Sequence, residues 1–525
     1  MNATVTGIRR DQKPNASGST NAGEEIQTRY SQELVLALSG PVGSGVNMVH
    51  EVLSATLRAS GYEVVHIRIS SYFQEFAKEL GMAIPDTSAG EYERISKLQD
   101  LGNSLRSVLG DDLGAQIAMN AIALDRTQRH PGVDLSEIKP KRVAYVIDQL
   151  KNPFEATLLR DVYGNMFYLV GVLASYERRK QNLISSMSPQ SAESLIERDR
   201  AEADGGGQQL EKTLKLADYF VRNSQDNTKD LEGHLQRFVD LIHGRNGITP
   251  TVQERGMYAA FSAALQSACL SRQVGAAILD SQGNILATGC NDVPRAGGGL
   301  YEETGASDHR CVFREGGLCF NDKHKDKLRD EISELLKAGG VDPFKALGLA
   351  KEIRKSTRLK DLIEFSRAVH AEMDALISAA RKGGSGVQDG ILFTTTYPCH
   401  NCARHIVAAG IRAVYFVEPY GKSLASELHN DSIDHDADCE GNIASDPNGK
   451  VAFLHFDGVA PRRFSDLFYA IDSRKDSSGK ARQAERFQAA QRAPELLDNY
   501  RQLEAKIAER FKKKVADGNP PHPAA

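Results

Sequence analysis

The sequence has no tryptophan in 525 residues, its aromatics amount to only 7%, and cysteine occurs seven times. With so few aromatic faces, little is available to stack a run of unpaired bases. A net charge of −4 and a pI near 6.4 likewise give no global attraction for a polyanion, so nucleic acid is not the default partner. No apolar run approaches the roughly 18 residues that would span a bilayer, and no membrane partner is expected. The first residues, 1–29, are polar and rich in Gly, Ser and Asn, which reads as a disordered arm rather than a secretory signal peptide. Seven cysteines, two of them spaced Cys-x-x-Cys, suit metal ligation in a reducing compartment better than a disulfide framework. A cytoplasmic protein is expected.

Length alone argues for two domains plus tails. Glu33 to Gly40 reads as an apolar strand running into a glycine turn, and Val46 to Ala59 as an amphipathic helix. Arg142 to Asp148, Asn165 to Ala174 and Ala217 to Asn223 are further strands among helices, which implies an α/β unit with a parallel sheet. A boundary falls near residue 245. Beyond it, Val274 to Asp280 and Ile285 to Thr288 flank Ser-Gln-Gly-Asn, a hairpin signal. A polar insertion follows over about 294–359, then a helix opening at His370, a strand at Ile391 to Thr396, a helix from Cys399 and a strand at Ala413 to Val417. This half is also α/β, with a mixed sheet. The expected plan is an arm over 1–30, a first domain over 31–245, a second over 246–470, and a helical and disordered tail over 471–525.

The sharpest pattern is His370-Ala371-Glu372 followed, one helix and one strand later, by Pro398-Cys399-His400-Asn401-Cys402. This is the known signature of zinc deaminases. Cys399 and Cys402 sit three apart in the first turn of a helix, whose N-terminus favours their thiolates. With His370 they supply three ligands to Zn2+ and leave one position open to water, whereas a structural zinc closes with a fourth protein ligand. Glu372 lies two residues past a ligand, free to face that water as proton shuttle. A structural zinc knuckle or a chance cluster is the bland alternative, and Glu372 argues against it.

The stretches Arg272 to Ala276, Thr288-Gly289-Cys290-Asn291-Asp292-Val293-Pro294 and Glu418 to Ser423 resemble the deoxycytidylate deaminase family over most of 250–470. The resemblance implies a cytidine-deaminase-like α/β/α domain, deoxycytidine nucleotides as substrates, a homo-oligomer, and substrate contacts at Asn291 and Ala371. The family usually has Tyr where Cys290 stands and Asn where Asp374 stands. The insertion holds His309, Cys311, Cys319 and His324, the ligand types of a second, structural zinc; phage-type relatives carry an extra zinc in this region. Their spacing is irregular, and solvent-facing loop residues are the alternative.

In the first half, Gly40-Pro41-Val42-Gly43-Ser44-Gly45-Val46-Asn47 has the length and glycines of a phosphate loop, with Gly40, Gly43, Ser44 and Gly45 as the cradle. Val46 and Asn47 replace the lysine and the magnesium-binding hydroxyl of such loops. The expectation is a P-loop kinase-like fold that binds a regulatory nucleotide without transferring phosphate. Asp148 occupies a Walker-B-like position, and Arg178, Arg179 and Arg200 are cations within reach of phosphates or simply solvated. A kinase-like half joined to a deoxycytidylate deaminase half resembles the bacterial antiphage deaminases that deplete dCTP and dCMP, and that resemblance adds an inhibitory small RNA as a partner. Competing readings are a tRNA or single-stranded DNA editing deaminase, a housekeeping dCMP deaminase, and a non-catalytic nucleotide sensor.

Overall fold

The computed structural model describes residues 26, 28–86, 88, 90–133, 138, 141–201, 209–223, 228–303, 308–419, 423–435, 437, 449–470, 474–475, 477–481 and 490–517. Most of the expected arm over 1–30 and the end of the tail lie outside the described residues. Two compact units form: Met1–Pro250 with Asp457–Ala525, and Thr251–Phe456. In chain order the strands are β1 (Leu34–Ser39), β2 (Glu63–Arg68), β3 (Val143–Asp148), β4 (Phe167–Leu173), β5 (Tyr219–Arg222), β6 (Gly275–Leu279), β7 (Ile285–Cys290), β8 (Ile391–Thr396), β9 (Ala413–Glu418), β10 (Ile433–Asp434), β11 (Val451–His455) and β12 (Gly458–Val459).

In the first unit β5-β4-β1-β3-β2 run parallel. Every residue of β1, β3 and β4 is buried, which is why these strands read as unbroken apolar runs: a parallel sheet is covered on both faces. The helix Val46–Ala59 leaves the end of β1 and buries Val46, Val49, Leu53 and Leu57 against Leu34, Leu36, Val170 and Val172, beside Leu235, Phe238 and Val239 of Thr228–Ile242. The sheet is not purely parallel as expected. β12 returns antiparallel to β5, so the second unit ends at Phe456, short of residue 470.

The helical part of the expected tail is Leu497–Asp517, packed on the helices Leu113–Arg129 and Pro153–Tyr163. Tyr500 and Phe511 are buried there, and Phe511 meets Phe76 edge-on. Arg126 clamps Glu33 (3.0 and 2.8 Å) and Glu504 (2.6 Å), while Tyr500 and Tyr163 donate to Glu33 and Glu504, each at 2.9 Å. The helix's charged composition conceals a buried stripe whose partner, Arg126, lies 378 residues upstream of Glu504.

The second unit has the sheet order β10-β11-β9-β8-β6-β7, with β6 antiparallel to both β7 and β8 and the remaining pairs parallel. It is the expected mixed sheet. Asp280 accepts from the N–H groups of Gln282 and Asn284, and Gly283 takes φ +83°, closing the β6–β7 hairpin. The helix Val252–Ala264, opened by a Thr251/Glu254 capping box, packs on β6 and β8. The helices Ala371–Arg381 and His400–Ala408 bury Ala375, Ala379, Ala403 and Ile406 with Ala276, Ile278, Leu392 and Val414. The polar insertion folds into two mutually packed helices, Phe320–Ala338 and Pro343–Ser356.

Candidate metal centre

Two helix starts converge in the second unit. Asp292 holds the first: its carbonyl accepts from Val369 N at 3.0 Å, and its carboxylate accepts from Ala268 N and Val293 N, each at 2.8 Å. The chain then reaches His370, the N-cap of Ala371–Arg381, with Glu372 in the first helical turn. Cys399 is the N-cap of His400–Ala408, and Cys402 follows one turn later. His370 Nδ1 lies 3.3 Å from Cys399 Sγ and 3.4 Å from Cys402 Sγ. Cys402 donates to Glu372 Oε2 at 3.5 Å.

The group is almost sealed: Glu372 is 4% exposed, Cys399 6% and Cys402 1%. Burial raises the Glu372 carboxyl above the usual carboxylate range. The hydrogen bond from Cys402, followed by that with His370, draws the Cys399 thiol down to about 4. Donating that bond raises Cys402, and its hydrogen bond with Cys399 raises His370. Both helix N-termini add positive potential at the sulfurs. Among the described residues, the one group of three or more metal-ligand side chains is His370, Cys399 and Cys402, with donor atoms within 4.8 Å of one another. One imidazole nitrogen and two sulfurs are a donor set that Zn2+ prefers, and three ligands match an open, catalytic site.

The other sequence-predicted residues fall as follows. Ala371 is fully buried between the two groups it separates. Asn291 is buried, and its amide meets backbone on both sides: Val274 N donates to Oδ1 at 2.7 Å and Nδ2 donates to the Arg272 carbonyl at 2.7 Å. His309, Cys311, Cys319 and His324 are not brought together. His309 packs edge-on against Tyr301, His324 stacks on Phe365, Arg367 approaches Cys311 at 4.0 Å, and Cys319 lies 3.6 Å from Ser271. The irregular spacing along two turns and a helix leaves each facing a different neighbour. Gly40, Gly43, Ser44 and Gly45 form the turn between β1 and Val46–Ala59 in the first unit, with Gly43 and Gly45 at φ +84° and +78°.

Three supporting residues have roles that their sequence context does not announce. Besides Asp292, Asp374 accepts from Cys290 N at 3.1 Å, pinning the end of β7 to the helix that carries Glu372. At Gly289 a Cβ would lie 2.3 Å from Ala375 N and 2.5 Å from the Ala371 carbonyl oxygen. A glycine inside a strand is the available signal of such close backbone approach.

Comparison with known proteins agrees with this geometry. Residues 250–418 match the model of the cytidine and deoxycytidylate deaminase zinc-binding region. Deoxycytidylate deaminase of Enterobacteria phage T4 is 31% identical over 166 residues, which is 31% of this chain and 76% of that protein. The phage T2 enzyme matches equally, over 78% of its length. The solved dCMP deaminase of cyanophage S-TIM5 in complex with dCMP and dUMP is 20% identical, covering 40% of this chain and 98% of its own, with a TM-score of 0.23. The signature, the clustered donors and the match across three quarters of the phage enzymes lead to one conclusion: the chain belongs to the deoxycytidylate deaminase family, and is a zinc-type deaminase hydrolase.

Proposed function

We propose that the chain hydrolyses the 4-amino group of deoxycytidine nucleotides, dCMP and dCTP, giving deoxyuridine nucleotides and ammonia. The observation that carries this reading is the buried Glu372 carboxylate beside the His370, Cys399 and Cys402 donors. In this reading those three side chains would hold Zn2+, and the ion would supply the Lewis acidity that lets a water lose its proton near neutral pH. Glu372 would take the proton lost by the attacking water and deliver it to the ring nitrogen beside C4, then take a second proton from the hydroxyl now bound to C4 and pass it to the amino group, which leaves as ammonia while C4–O becomes the carbonyl. Its raised affinity for protons, a consequence of burial, suits a group that must both accept and donate. Asn291 has one N–H and one lone pair remaining beyond its backbone bonds, and in this reading they meet the nucleotide, with Ala371 as the second substrate contact.

The antiphage reading, depletion of the dCTP pool, rests on the union of this unit with one whose strand order β2-β3-β1-β4-β5 and glycine loop after the central strand support a P-loop kinase-like fold. The test is product chromatography of purified protein with dCMP, dCTP, CMP and CTP. Deoxy substrates should be turned over, and Glu372→Ala should lose a factor of about 10² to 10⁴ or more while retaining zinc. Parental rates in the zinc-loaded variant would refute the mechanism.

A further inference from the structure

The amino-terminal unit contains a cavity of about 510 Å³ outside the carboxyl ends of β1, β2 and β3. β1 lies where the strand order reverses, the place at which open α/β sheets bind ligands. Nothing in the deaminase chemistry uses this cavity.

One wall is the loop 41–48. Four carbonyl oxygens of residues 40–44 are taken by side chains: Lys151 Nζ donates to Gly40 O at 2.8 Å, Arg179 Nε to Val42 O at 2.8 Å, Asn182 Nδ2 to Gly43 O at 2.8 Å and Asn223 Nδ2 to Ser44 O at 2.9 Å. The N–H groups of Gly43, Gly45, Val46 and Asn47 have no hydrogen-bond acceptor among the described residues. The loop is thus held rigid through its acceptors while its donors stay free at the start of a 14-residue helix, an arrangement suited to an anion. Ser44 Oγ, fully buried on the same wall, has no partner either.

The helix Glu91–Leu109 also lines the cavity, through Ile95, Leu98, Gln99 and Arg106, and Phe73 stands beside it. Gln99 is 6% exposed and its Oε1 has no partner. Arg106 is 5% exposed; its Nε and Nη2 are fixed by Glu155 Oε1 at 3.2 and 2.9 Å, and Nη1 is unpartnered. Buried polar atoms left unpaired at a cavity wall are costly unless a ligand meets them. The machinery for phosphoryl transfer is otherwise engaged: Val46 packs into the core, and Asp148 lies 3.6 Å from both His66 and Arg68.

We infer that this cavity is a second nucleotide site, separate from the deaminase centre, which binds without transferring phosphate. The phosphates lie on the N–H groups of Gly43 to Asn47, and the base lies against Phe73, Ile95 and Leu98 with its edge on Gln99 and Arg106.

The experiment is isothermal titration calorimetry of the full-length protein with ATP, UTP, dCTP and inorganic tripolyphosphate. Asn47→Asp places a carboxylate at an exposed helix start, where it favours the helix but repels phosphate. It should weaken all four probes at least tenfold with an unchanged thermal midpoint; for dCTP, which also fits the deaminase centre, only the second binding event should be lost. Gln99→Leu should weaken the nucleotides and leave tripolyphosphate unchanged. Absence of binding by every probe, parental affinities in Asn47→Asp, or equal losses for nucleotide and tripolyphosphate in Gln99→Leu would overturn the assignment. Each of these results is independent of whether Glu372→Ala loses deamination.

Discussion

Replacing Gly289 by alanine tests how the strand β7 positions the metal group. The new Cβ would stand 2.3 Å from Ala375 N and 2.5 Å from Ala371 O, both backbone atoms of the helix Ala371–Arg381, and a helix backbone cannot swing aside as a side chain would. Reaching the 3.4 Å of an ordinary contact requires strand and helix to separate by about 1 Å. Overpacking of this kind costs about 1–3 kcal/mol, and for a unit of roughly 200 residues each kcal/mol lowers the melting midpoint by about 2–4 °C. The helix begins one residue after His370 and carries Glu372 in its first turn, so the displacement acts on a metal ligand and on the proton shuttle together. A misplacement of about 1 Å can cost about 10²-fold in rate. The assay is dCMP turnover by chromatography, alongside zinc content by atomic absorption and thermal melting, all at a temperature where the variant remains folded. Turnover and melting both equal to the parent's would refute the argument that Gly289 sets this distance.

Cys399→Ser and Cys402→Ser should each lose zinc together with activity and lower stability, because metal binding is coupled to folding; unchanged metal content would count against these ligands. Arg126→Met leaves Glu33 and Glu504 buried without their cation and should cost about 3–5 kcal/mol in urea unfolding; a loss below about 1 kcal/mol would show that the clamp is dispensable. His243 is held neutral, its Nε2 taken by Tyr62 Oη at 2.8 Å and its Nδ1 by the Val239 carbonyl at 2.7 Å, and burial lowers its pKa from 6.5 to about 4. Between those values the unfolded chain binds a proton that the folded chain refuses, so stability should fall as pH drops from about 6.5 towards 4. His243→Gln should flatten that slope between pH 7 and pH 5, and equal slopes for parent and variant would contradict the assignment.

Much of the metal group is legible in the amino-acid sequence, because its information is local. Cys399 and Cys402 share a helical turn, His370 and Glu372 straddle one residue, and covalent spacing alone brings each pair within reach of a common point. The same holds for the buried strands: β1, β3 and β4 announce themselves because a strand covered on both faces is built mostly of apolar residues. The β6–β7 hairpin is equally evident, since Asp280 and Gly283 satisfy a turn within five residues.

Other features depend on which distant surfaces meet, and no local period records that. The helix Leu497–Asp517 reads as a charged tail until Glu504 is placed against Arg126. The strand β12 reads as loop until it pairs with β5, and the four His and Cys residues of the insertion read as a ligand set until each is seen against a different neighbour. Asn291 reads as a substrate contact, and only the fold shows that its amide is also fixed by the backbone of Arg272 and Val274; Gln99 and Arg106 are ordinary helix residues until the fold brings them and the loop 41–48 around one cavity. Residue type and short-range spacing determine what chemistry a side chain can perform; long-range packing alone decides which partners burial provides and which polar atoms it leaves waiting for a ligand.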